Sequence, residues 1–362
     1  MKICFLAPAD SIHSYRWIKY FADKNYDIHW LSLVPNQFKV TKNIKFYHLK
    51  NFSVKFLNVI LNIKSIRELV RNINPDIFHV HSAGTYGITG ALSGFHPLIL
   101  TVWGSDILMA QESKIRSFLK KYTLKKVDFI TCDAEHMEEE MLKLGANPSK
   151  IKIINFGIDI QRFYPSSKDE NLKKELGASD FKVVISVRRL EKLCDVETLI
   201  RAAPVVLNEF PKTKFIIIGE GSLKENLEKL AKVLRVAENI KFIGDIANEE
   251  LPKYLRLADT FVSTTLSDAG IASSTAEAMA CELPVIITDI ADNKSWVKDG
   301  KNGFLIPIKN PELLAQRIIF LLKNKNIGRE FGKINRKIIE ERNDYFKEMA
   351  KIEDIYLDLA KK

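Results

Sequence analysis

The sequence predicts an α/β protein built from two Rossmann-like domains, and three observations support this fold class. Short apolar runs rich in Ile, Val and Phe alternate with amphipathic stretches along most of the chain, which is the pattern of parallel sheets covered by helices. The length of 362 residues is too great for one ordinary core and fits two domains. Residues 163–170 are rich in Pro, Ser and charge and lack periodicity, so they predict a linker.

The first series of runs begins at the N terminus with residues 2–7. This apolar run is shorter than the apolar core of a signal peptide, so it predicts a β-strand. Later apolar runs predict further strands of the same sheet, and amphipathic segments predict the helices between them. The predicted strands are residues 2–7, 28–33, 77–81, 98–102 and 128–132, with helices near 13–24, 57–73, 113–125 and 134–144.

A second series of the same kind follows the linker and predicts a second sheet. Its strands are residues 183–186, 214–218, 241–243, 260–263 and 285–288, with helices near 196–209, 222–235, 249–257, 273–281 and 310–323. Residues 323–362 are rich in Lys and Glu and carry apolar residues at helical spacing, so they predict C-terminal helices.

The charge of the chain is uneven. The net charge is +10, and residues 1–165 hold 22 Lys and Arg against 14 Asp and Glu. Such a basic surface attracts nucleic acid, an anionic membrane or a phosphorylated substrate. The sequence lacks RNP, helix-turn-helix and zinc-finger patterns, so we expect no nucleic acid partner.

The cysteines and the overall composition restrict the class of protein further. Hydrophobic residues make up 46% and charged residues 28% of the chain, which is typical of a protein that folds throughout. The four cysteines are far apart and form neither a disulfide framework nor a zinc motif, which predicts a reducing, cytoplasmic compartment. They are Cys4, Cys132, Cys194 and Cys281.

Ligands of open α/β sheets bind at the carboxyl ends of the strands, and the best candidate there is the segment 267–277. Ser273, Ser274 and Thr275 precede a predicted helix, so backbone and hydroxyl donors converge where a diphosphate can bind. Glu277 follows one turn later and can accept hydrogen bonds from ribose hydroxyls. The alternative is that one serine is an N-cap and Glu277 is a carboxylate at a helix start.

Two other strand ends of the second domain carry candidate residues. Arg188 and Arg189 follow its first strand, and a forked guanidinium can bind phosphate oxygens, although a surface ion pair is the alternative. Gly219 and Gly221 follow its second strand. They begin like a dinucleotide-binding motif, but Lys224 stands where the third glycine is required, so a tight turn is the alternative.

In the first domain the candidates are less specific. The turn at residues 103–106 ends in Asp106, which is either a polar group of the site or an ordinary helix-capping residue. His79 and His81 alternate on one strand face like two metal ligands, but no third ligand is evident, and satisfied strand-end histidines are the alternative. His13, in the first loop, belongs to the same end of the sheet.

These segments together resemble the retaining GT-B glycosyltransferases of the family-4, or group 1, type. Residues 277–286 read Glu-Ala-Met-Ala-Cys-Glu-Leu-Pro-Val-Ile and are similar to the EAMA-x-G-x-PVV motif of that family. Residues 302–307 are similar to its NGFLVP segment, and residues 155–159 to its N-G-V-D segment. Residues 219–221 resemble its G-x-G turn, and residues 243–244 its F-x-G loop near the base.

The resemblance implies a GT-B fold whose two Rossmann-like domains face each other across a cleft. Residues 1–165 would bind the acceptor, completed by a C-terminal helix at about 343–362 that crosses back to this domain. Residues 166–342 would bind a nucleotide diphosphate sugar. By position, Arg189 matches the arginine that binds the diphosphate and Glu277 the glutamate that binds the ribose.

Three positions depart from the motifs of the family. Cys194 stands where a lysine is expected, Ala269 where a glutamate is expected, and Trp103 where a histidine is expected. The candidate replacements in the neighbouring sequence are Lys192, Asp268 and Asp106.

The sequence and the resemblance together predict a set of site residues. The predicted catalytic residues are Arg189, Asp268 and Asp106. The predicted donor-binding residues are Arg188, Lys192, Gly219, Gly221, Gly244, Ser273, Ser274, Thr275 and Glu277. No metal or other cofactor is expected, because the chain lacks a clear Asp-x-Asp motif.

The predicted activity is transfer of a hexose or related sugar to a glycan or lipid-linked acceptor in polysaccharide biosynthesis, with retention of configuration. A basic and apolar segment with Lys55, Lys64, Arg67 and Arg71 predicts peripheral contact with the inner face of the membrane, with a core helix as the alternative. The alternative functions are a sugar-nucleotide epimerase or hydrolase of the same fold and a non-catalytic partner of an active transferase. Lys224 disfavours a nicotinamide-dependent dehydrogenase.

Overall fold

The computed structural model describes residues 1–50, 55–108, 114–268 and 270–361. Within these residues none of the helices combines the length and the apolar content that a bilayer-spanning segment requires.

The chain forms two compact units. Unit 1 comprises Met1–Phe156 and Phe346–Lys362, and unit 2 comprises Gly157–Tyr345. The chain enters unit 2 before the linker predicted from the sequence, because Ile158 and Phe163 are buried in the core of unit 2.

Unit 1 is built on a parallel sheet. Its strands are β1 (Lys2–Leu6), β2 (Asp27–Ser32), β3 (Ile44–His48), β4 (Ile77–His81), β5 (Leu98–Thr101), β6 (Phe129–Cys132) and β7 (Ile151–Ile153). Their order in the sheet is β3-β2-β1-β4-β5-β6-β7. The five strands predicted for this domain are confirmed. The two that were not predicted, β3 and β7, are the edge strands, where a less continuous apolar run is sufficient.

Helices connect the strands of unit 1. They are α1 (Ile12–Asp23), α2 (Lys55–Ile73), α3 (Thr85–Ser93), α4 (Ser105–Leu108), α5 (Lys114–Lys126) and α6 (Glu135–Lys143). The four helices predicted for this domain correspond to α1, α2, α5 and α6. Residue 113, at the start of one prediction, lies outside the described residues.

Unit 2 contains a second parallel sheet. Its strands are β8 (Lys182–Val187), β9 (Thr213–Ile218), β10 (Ile240–Gly244), β11 (Thr260–Ser263), β12 (Val285–Thr288) and β13 (Gly303–Ile306), in the order β10-β9-β8-β11-β12-β13. The sheet is buried on both faces. Val183 and Ile185 pack into one hydrophobic cluster and Val184, between them, into the other, because successive side chains of a strand point to opposite faces.

The helices of unit 2 cover both faces of this sheet. They are α7 (Glu170–Glu175), α8 (Val196–Glu209), α9 (Lys224–Val233), α10 (Leu251–Leu257), α11 (Ser273–Ala280), α12 (Asn293–Trp296), α13 (Pro311–Lys323) and α14 (Lys325–Arg342). The helices predicted for the second domain correspond to α8, α9, α10, α11 and α13.

The last helix, α15 (Tyr345–Ala360), returns to unit 1, so the crossing of the C-terminal helix expected from the resemblance is confirmed. The ring of Tyr356 is fully buried and stacks on Phe21, with ring centroids 4.8 Å apart. The Glu353 carboxylate accepts hydrogen bonds from the hydroxyls of Tyr26, at 2.7 Å, and Tyr20, at 3.2 Å. These contacts tie α15 to α1 and to the loop before β2.

Candidate functional site

The loop after β8 is the centre of the candidate site in unit 2. The backbone N–H of Leu190 donates to the Glu220 carbonyl at 2.9 Å, and the N–H of Leu223 donates to the Leu190 carbonyl at 2.9 Å. The loop after β9 is therefore fixed against the loop after β8. Because neighbouring parallel strands end at the same edge of the sheet, these loops form one continuous surface there.

Glycines allow this close approach. A Cβ on Gly219 would lie 2.2 Å from the Arg188 carbonyl oxygen, and a Cβ on Gly221 would lie 2.4 Å from the Leu190 carbonyl oxygen. The N–H of Gly219 donates to the Gly244 carbonyl at 2.9 Å, which links the loop after β10 to the other two. Loop packing thus accounts for Gly219 and Gly221, and the left-handed backbone of Gly244, with φ of 84°, accounts for the third predicted glycine. Contact of these glycines with a nucleotide remains a prediction.

The loop after β11 packs against the other side of the loop after β8. The Thr264 hydroxyl donates to the Asp195 carbonyl at 2.8 Å, and the Thr265 hydroxyl donates to the Leu193 carbonyl at 3.1 Å. The N–H of Leu266 also donates to the Leu193 carbonyl, at 2.8 Å. Sequence reasoning missed these two threonines, although a pair of hydroxyl residues directly after a buried strand was the available signal.

Arg188 and Asp268 form an ion pair between these two loops. Nη2 of Arg188 lies 3.1 and 3.0 Å from the two carboxylate oxygens of Asp268, and the side chains are 13% and 21% exposed. Burial raises the pKa of Asp268 more than the charge of Arg188 lowers it. Sequence reasoning assigned the two residues separate roles, phosphate binding and catalysis. The structure instead makes Asp268 the partner of Arg188.

Arg189 and Lys192 differ from Arg188 because their side chains are exposed. Within the described residues neither side chain has a hydrogen-bond or ion-pair partner. They are therefore the cations of this loop that an anionic ligand can reach without breaking an existing ion pair. Cys194, in the same loop, is partly exposed and offers no cationic group.

Helix α11 begins at Ser273, with Ala272 in the N-cap position and no side-chain capping bond. The alternative that Ser273 or Ser274 is an N-cap is therefore wrong. Because the first N–H groups of a helix have no partner within it, this terminus presents donors and a positive dipole end to an anion. Thr275 is 2% exposed, so its side chain faces the interior.

Glu277 lies one turn inside α11 and is 7% exposed. The amide of Asn248, from the loop after β10, donates to its carboxylate at 3.4 Å. Asn248 was not predicted, because a single exposed Asn in a polar loop gives no pattern. The contact shows that the loop after β10 reaches the same end of the sheet as α11. Ala269, the position of the expected glutamate, lies outside the described residues.

In unit 1 Asp106 connects two strand-end loops. One carboxylate oxygen accepts the N–H of Ala83 at 2.6 Å, and the other accepts the N–H of Trp103 at 3.0 Å. Because both oxygens hold backbone groups, the geometry favours a loop-positioning role for Asp106 over the predicted catalytic role.

His79 and His81 are buried side chains of β4. Nε2 of His79 lies 2.7 Å from the Thr101 hydroxyl, and its Nδ1 is hydrogen-bonded to the hydroxyl of Tyr356. Burial lowers the pKa of His79 well below its ordinary value and that of His81 to about 3, so both rings are neutral. The contacts of His79 favour the alternative of a satisfied strand-end histidine. His81 is satisfied in part, because its Nδ1 lies 3.1 Å from the Ser14 hydroxyl while its Nε2 is buried without a hydrogen-bond partner among the described residues. In the described part of the chain no three His, Cys, Asp or Glu side chains lie together as metal ligands.

An aromatic cluster lies at the same end of the sheet. The rings of His13 and Trp103 both stack on Phe156, at centroid distances of 4.5 and 5.2 Å. Burial, with a smaller contribution from Arg16, lowers the pKa of His13 to about 4. Phe156 was not singled out in the sequence, because a Phe in an apolar segment is normally a core residue.

Two family models match this chain, one mainly within each of the two units. The family model described as "Glycosyl transferases group 1" matches residues 167–338, and the model described as "Glycosyl transferase 4-like" matches residues 2–134. The chain is 27% identical over 336 residues to the alpha-monoglucosyldiacylglycerol synthase of Acholeplasma laidlawii, which covers 86% of this chain and 82% of that protein.

Two further comparisons cover most of the chain. It is 25% identical over 321 residues to the UDP-Gal:alpha-D-GlcNAc-diphosphoundecaprenol alpha-1,3-galactosyltransferase of Escherichia coli, covering 85% of this chain and 82% of that protein. The solved structure of Anabaena Alr3699/HepE in complex with UDP matches with a TM-score of 0.86 at 18% identity, covering 99% of this chain and 100% of that one.

Proposed function

Because the chain belongs to the group 1 glycosyltransferases, which use nucleotide-sugar donors, we propose that it transfers a sugar to a lipid-linked or glycan acceptor with retention of configuration. Its two units have the GT-B fold. One observation carries the donor half of this proposal. The hydrogen-bonded loops after β8 and β11 place exposed cations and the uncapped N terminus of α11 at one end of the unit 2 sheet.

The diphosphate of the donor binds at the N terminus of α11 in this proposal. The backbone N–H groups of Ser273 and Ser274 precede the first internal hydrogen bonds of the helix, so they can donate to phosphate oxygens. The positive end of the helix dipole adds to this attraction, because anions are stabilised at helix N termini.

Arg189 and Lys192 supply the charge opposite the diphosphate. Transfer breaks the bond between the anomeric carbon and the diphosphate oxygen, and the electron pair of that bond leaves with the nucleotide diphosphate. The acceptor oxygen forms the new bond to the anomeric carbon, and its proton passes to an oxygen of the departing diphosphate. Cations beside the leaving oxygen lower the barrier, since negative charge develops there in the transition state. Because Cys194 has no basic side chain, Arg189 and Lys192 supply this charge.

Glu277 holds the ribose in this proposal. Its carboxylate is nearly buried, and Asn248 donates to one oxygen at 3.4 Å. A carboxylate fixed in this way can accept hydrogen bonds from the two ribose hydroxyls, as acidic residues do in other nucleotide sites. Gly244 ends β10 beside this position and is proposed to face the base.

The acceptor is proposed to be carried by a lipid. The names of the Acholeplasma and Escherichia relatives specify a diacylglycerol and a diphosphoundecaprenol, respectively. Both names also specify an alpha linkage. A transfer with retention produces an alpha linkage when the nucleotide sugar is itself alpha-linked. The excess of Lys and Arg in residues 1–165 supports contact of unit 1 with the anionic inner face of a membrane.

Donor binding is the direct test. We expect one nucleoside diphosphate among UDP, GDP, ADP, CDP and dTDP to raise the melting temperature and to bind in calorimetry. Arg189→Ala and Glu277→Ala each weaken this binding about 10-fold or more, because each removes a hydrogen bond that involves a charged group. Arg329→Ala is the matched control, since Arg329 is an exposed arginine on α14. Unchanged binding in both site variants would overturn the site assignment.

Product analysis separates transfer from the alternative reactions on the same fold. With donor and a mixture of lipid acceptors, we expect nucleotide diphosphate release to depend on the acceptor and to match glycolipid formation. Equal release without acceptor would make the chain a hydrolase, and an isomerised nucleotide sugar would make it an epimerase.

A further inference from the structure

Helix α5 of unit 1 is unusual in its charge. Its sequence, KIRSFLKKYTLKK, contains six Lys and Arg and no Asp or Glu. Basic residues at a helix C terminus are stabilised by the helix dipole, which explains Lys125 and Lys126. The dipole does not explain Lys121, which lies more than one turn before the end of the helix.

The outward face of α5 combines apolar and cationic side chains. Ile115 is 65% exposed and Phe118 is 67% exposed, while Thr123 and Leu124, on the inward face, are buried. Because 3.6 residues make one helical turn, Lys121 and Lys125 lie on the same side as Phe118. The exposed face is therefore an aromatic ring next to two exposed lysines.

Two other helices, α9 and α2, lack this combination among their described side chains. Val233, on α9, is 77% exposed, but α9 also carries Glu225 and Glu228. On α2, the segment that the sequence predicts for membrane contact, Lys64 pairs with Glu68 and the Arg67 guanidinium donates to carbonyls at the end of α3. The side chains of residues 55–60 on α2 lie outside those described.

We propose that α5 is the surface by which unit 1 binds an anionic lipid bilayer. Phe118 and Ile115 enter the interface, and the lysines contact the lipid headgroups. This arrangement is that of interfacial helices with a basic polar face and exposed apolar side chains. The proposal rests on the proposed function in one respect, since a lipid-linked acceptor gives the enzyme a reason to bind the bilayer.

The adjacent helix extends this surface. Helix α3 contacts both α5 and α2, so the three helices lie side by side on unit 1. The exposed Arg71 on α2 and Lys121 on α5 therefore flank α3. A basic surface of this extent matches a bilayer better than a single phosphate group does.

Vesicle binding tests the proposal with the full chain. The probe is sedimentation with vesicles of phosphatidylcholine containing 30% phosphatidylglycerol, against vesicles of phosphatidylcholine alone. We expect binding to the anionic vesicles only. Since each basic side chain near such a surface strengthens binding about fivefold, Lys121→Gln with Lys125→Gln weakens it about 25-fold. Phe118→Ser weakens it independently of salt.

The matched controls lie on α9. Lys229→Gln with Lys232→Gln removes two exposed lysines, and Val233→Ser removes an exposed apolar side chain. Both are expected to leave vesicle binding unchanged. Equal losses in the α9 variants, or full vesicle binding by the α5 variants, would overturn the proposal. Binding of a single-stranded oligonucleotide in place of vesicles would also overturn it.

Donor binding, measured on the same samples, keeps this proposal separate from the proposed function. The α5 variants are expected to bind the nucleoside diphosphate as the unchanged chain does, and an unchanged unfolding transition of unit 1 shows that the unit carrying the substitutions is folded. If the unchanged chain binds no nucleotide but binds anionic vesicles through α5, the proposed function fails and the membrane surface stands.

Discussion

Asp268 holds Arg188 through hydrogen bonds from one guanidinium nitrogen to both carboxylate oxygens, and the Nε of Arg188 is buried. The pair spans the loops after β8 and β11, which carry the exposed Arg189 and the start of α11. The ion pair holds the guanidinium in one orientation near the proposed diphosphate position. Under the proposed function, we expect Asp268 to act on the reaction through Arg188, as a positioning residue.

The first prediction concerns this pair. Arg188→Ala and Asp268→Asn each lower kcat by about 10- to 100-fold, since a hydrogen bond between charged groups contributes about 1.5–3 kcal/mol. Because the residues act together, the double variant loses no more than either single one. Steady-state kinetics measures this, with Glu209→Gln, at the exposed Lys323–Glu209 pair, as the control. Losses that multiply would show that Asp268 acts independently of Arg188.

The second prediction concerns pH and the buried histidines of β4. The folded-state pKa of His81 is about 3 and that of an unfolded histidine about 6.5, so the unfolded state binds the extra proton between these values. The contribution of neutral His81 is therefore complete above pH 6.5. Below it, the free energy of unfolding falls by up to about 1.4 kcal/mol per pH unit.

Denaturant unfolding of unit 1 at pH 4.5–7 measures this slope, with Trp17, Trp30 and Trp103 as fluorescent reporters. His81→Gln is expected to reduce the slope by about the contribution of one histidine. His48→Gln is the control, because His48 is exposed at the edge strand β3. An unchanged slope in His81→Gln would mean that His81 is protonated in the folded protein.

The third prediction concerns the glycine contact between the loops after β8 and β9. In Gly221→Ala the new Cβ would lie 2.4 Å from the Leu190 carbonyl oxygen, so the loops must separate. We expect a loss of about 1–3 kcal/mol in the free energy of unfolding of unit 2 and weaker nucleotide binding.

Gly328→Ala is the matched control for this substitution. Gly328 lies within α14, and the nearest atom to its new Cβ is 3.6 Å away, so alanine is expected to be neutral or to stabilise by about 0.5–1 kcal/mol. Urea unfolding compares the free energies of unfolding of the two variants, and calorimetry compares their affinities for the nucleotide. Normal stability of Gly221→Ala would show that the loop contact is loose.

The fourth prediction concerns the hydroxyl of Tyr356. Tyr356→Phe keeps the stacking on Phe21 but removes the partner of His79 Nδ1 in a buried site. A buried polar group without its partner costs about 1–3 kcal/mol, so unit 1 should unfold at lower denaturant concentration. Tyr164→Phe, at an exposed tyrosine of unit 2, should leave the unfolding of unit 1 unchanged. Equal stability of the two variants would argue against the hydrogen bond.

The sequence predicts the central strands well because a strand buried on both faces must be apolar at every position. Val183, Val184 and Ile185 are an example, since they serve two different clusters. Helix α3 was not predicted because its local sequence disfavours a helix and its tertiary packing is what selects these residues. Its Gly87 and Gly90 lower helix propensity, but a Cβ on Gly90 would lie 2.6 Å from the Val80 side chain, so close packing on β4 selects glycine.

The candidate site was predicted as separate segments, and contacts between segments were the part that sequence patterns could not supply. Arg188 and Asp268 are 80 positions apart, and only the parallel order β8-β11 makes their loops neighbours. Asp106 shows the same limit. A Gly-Ser-Asp turn is compatible with catalysis or with loop positioning. The contact of Asp106 with the N–H of Trp103 is local, but its contact with the N–H of Ala83 forms only because β4 and β5 are adjacent.

The return of α15 to unit 1 has a consequence for synthesis on the ribosome. Unit 2 is continuous in sequence, so its contacts can form as soon as residue 345 has emerged. Unit 1 must wait, although its first 156 residues are translated before unit 2, because Tyr356 and Glu353 follow the whole of unit 2 in the sequence. Until then the surface around Phe21 and His79 is uncovered. A premature stop near residue 345 would therefore harm the N-terminal half of the protein and leave unit 2 complete.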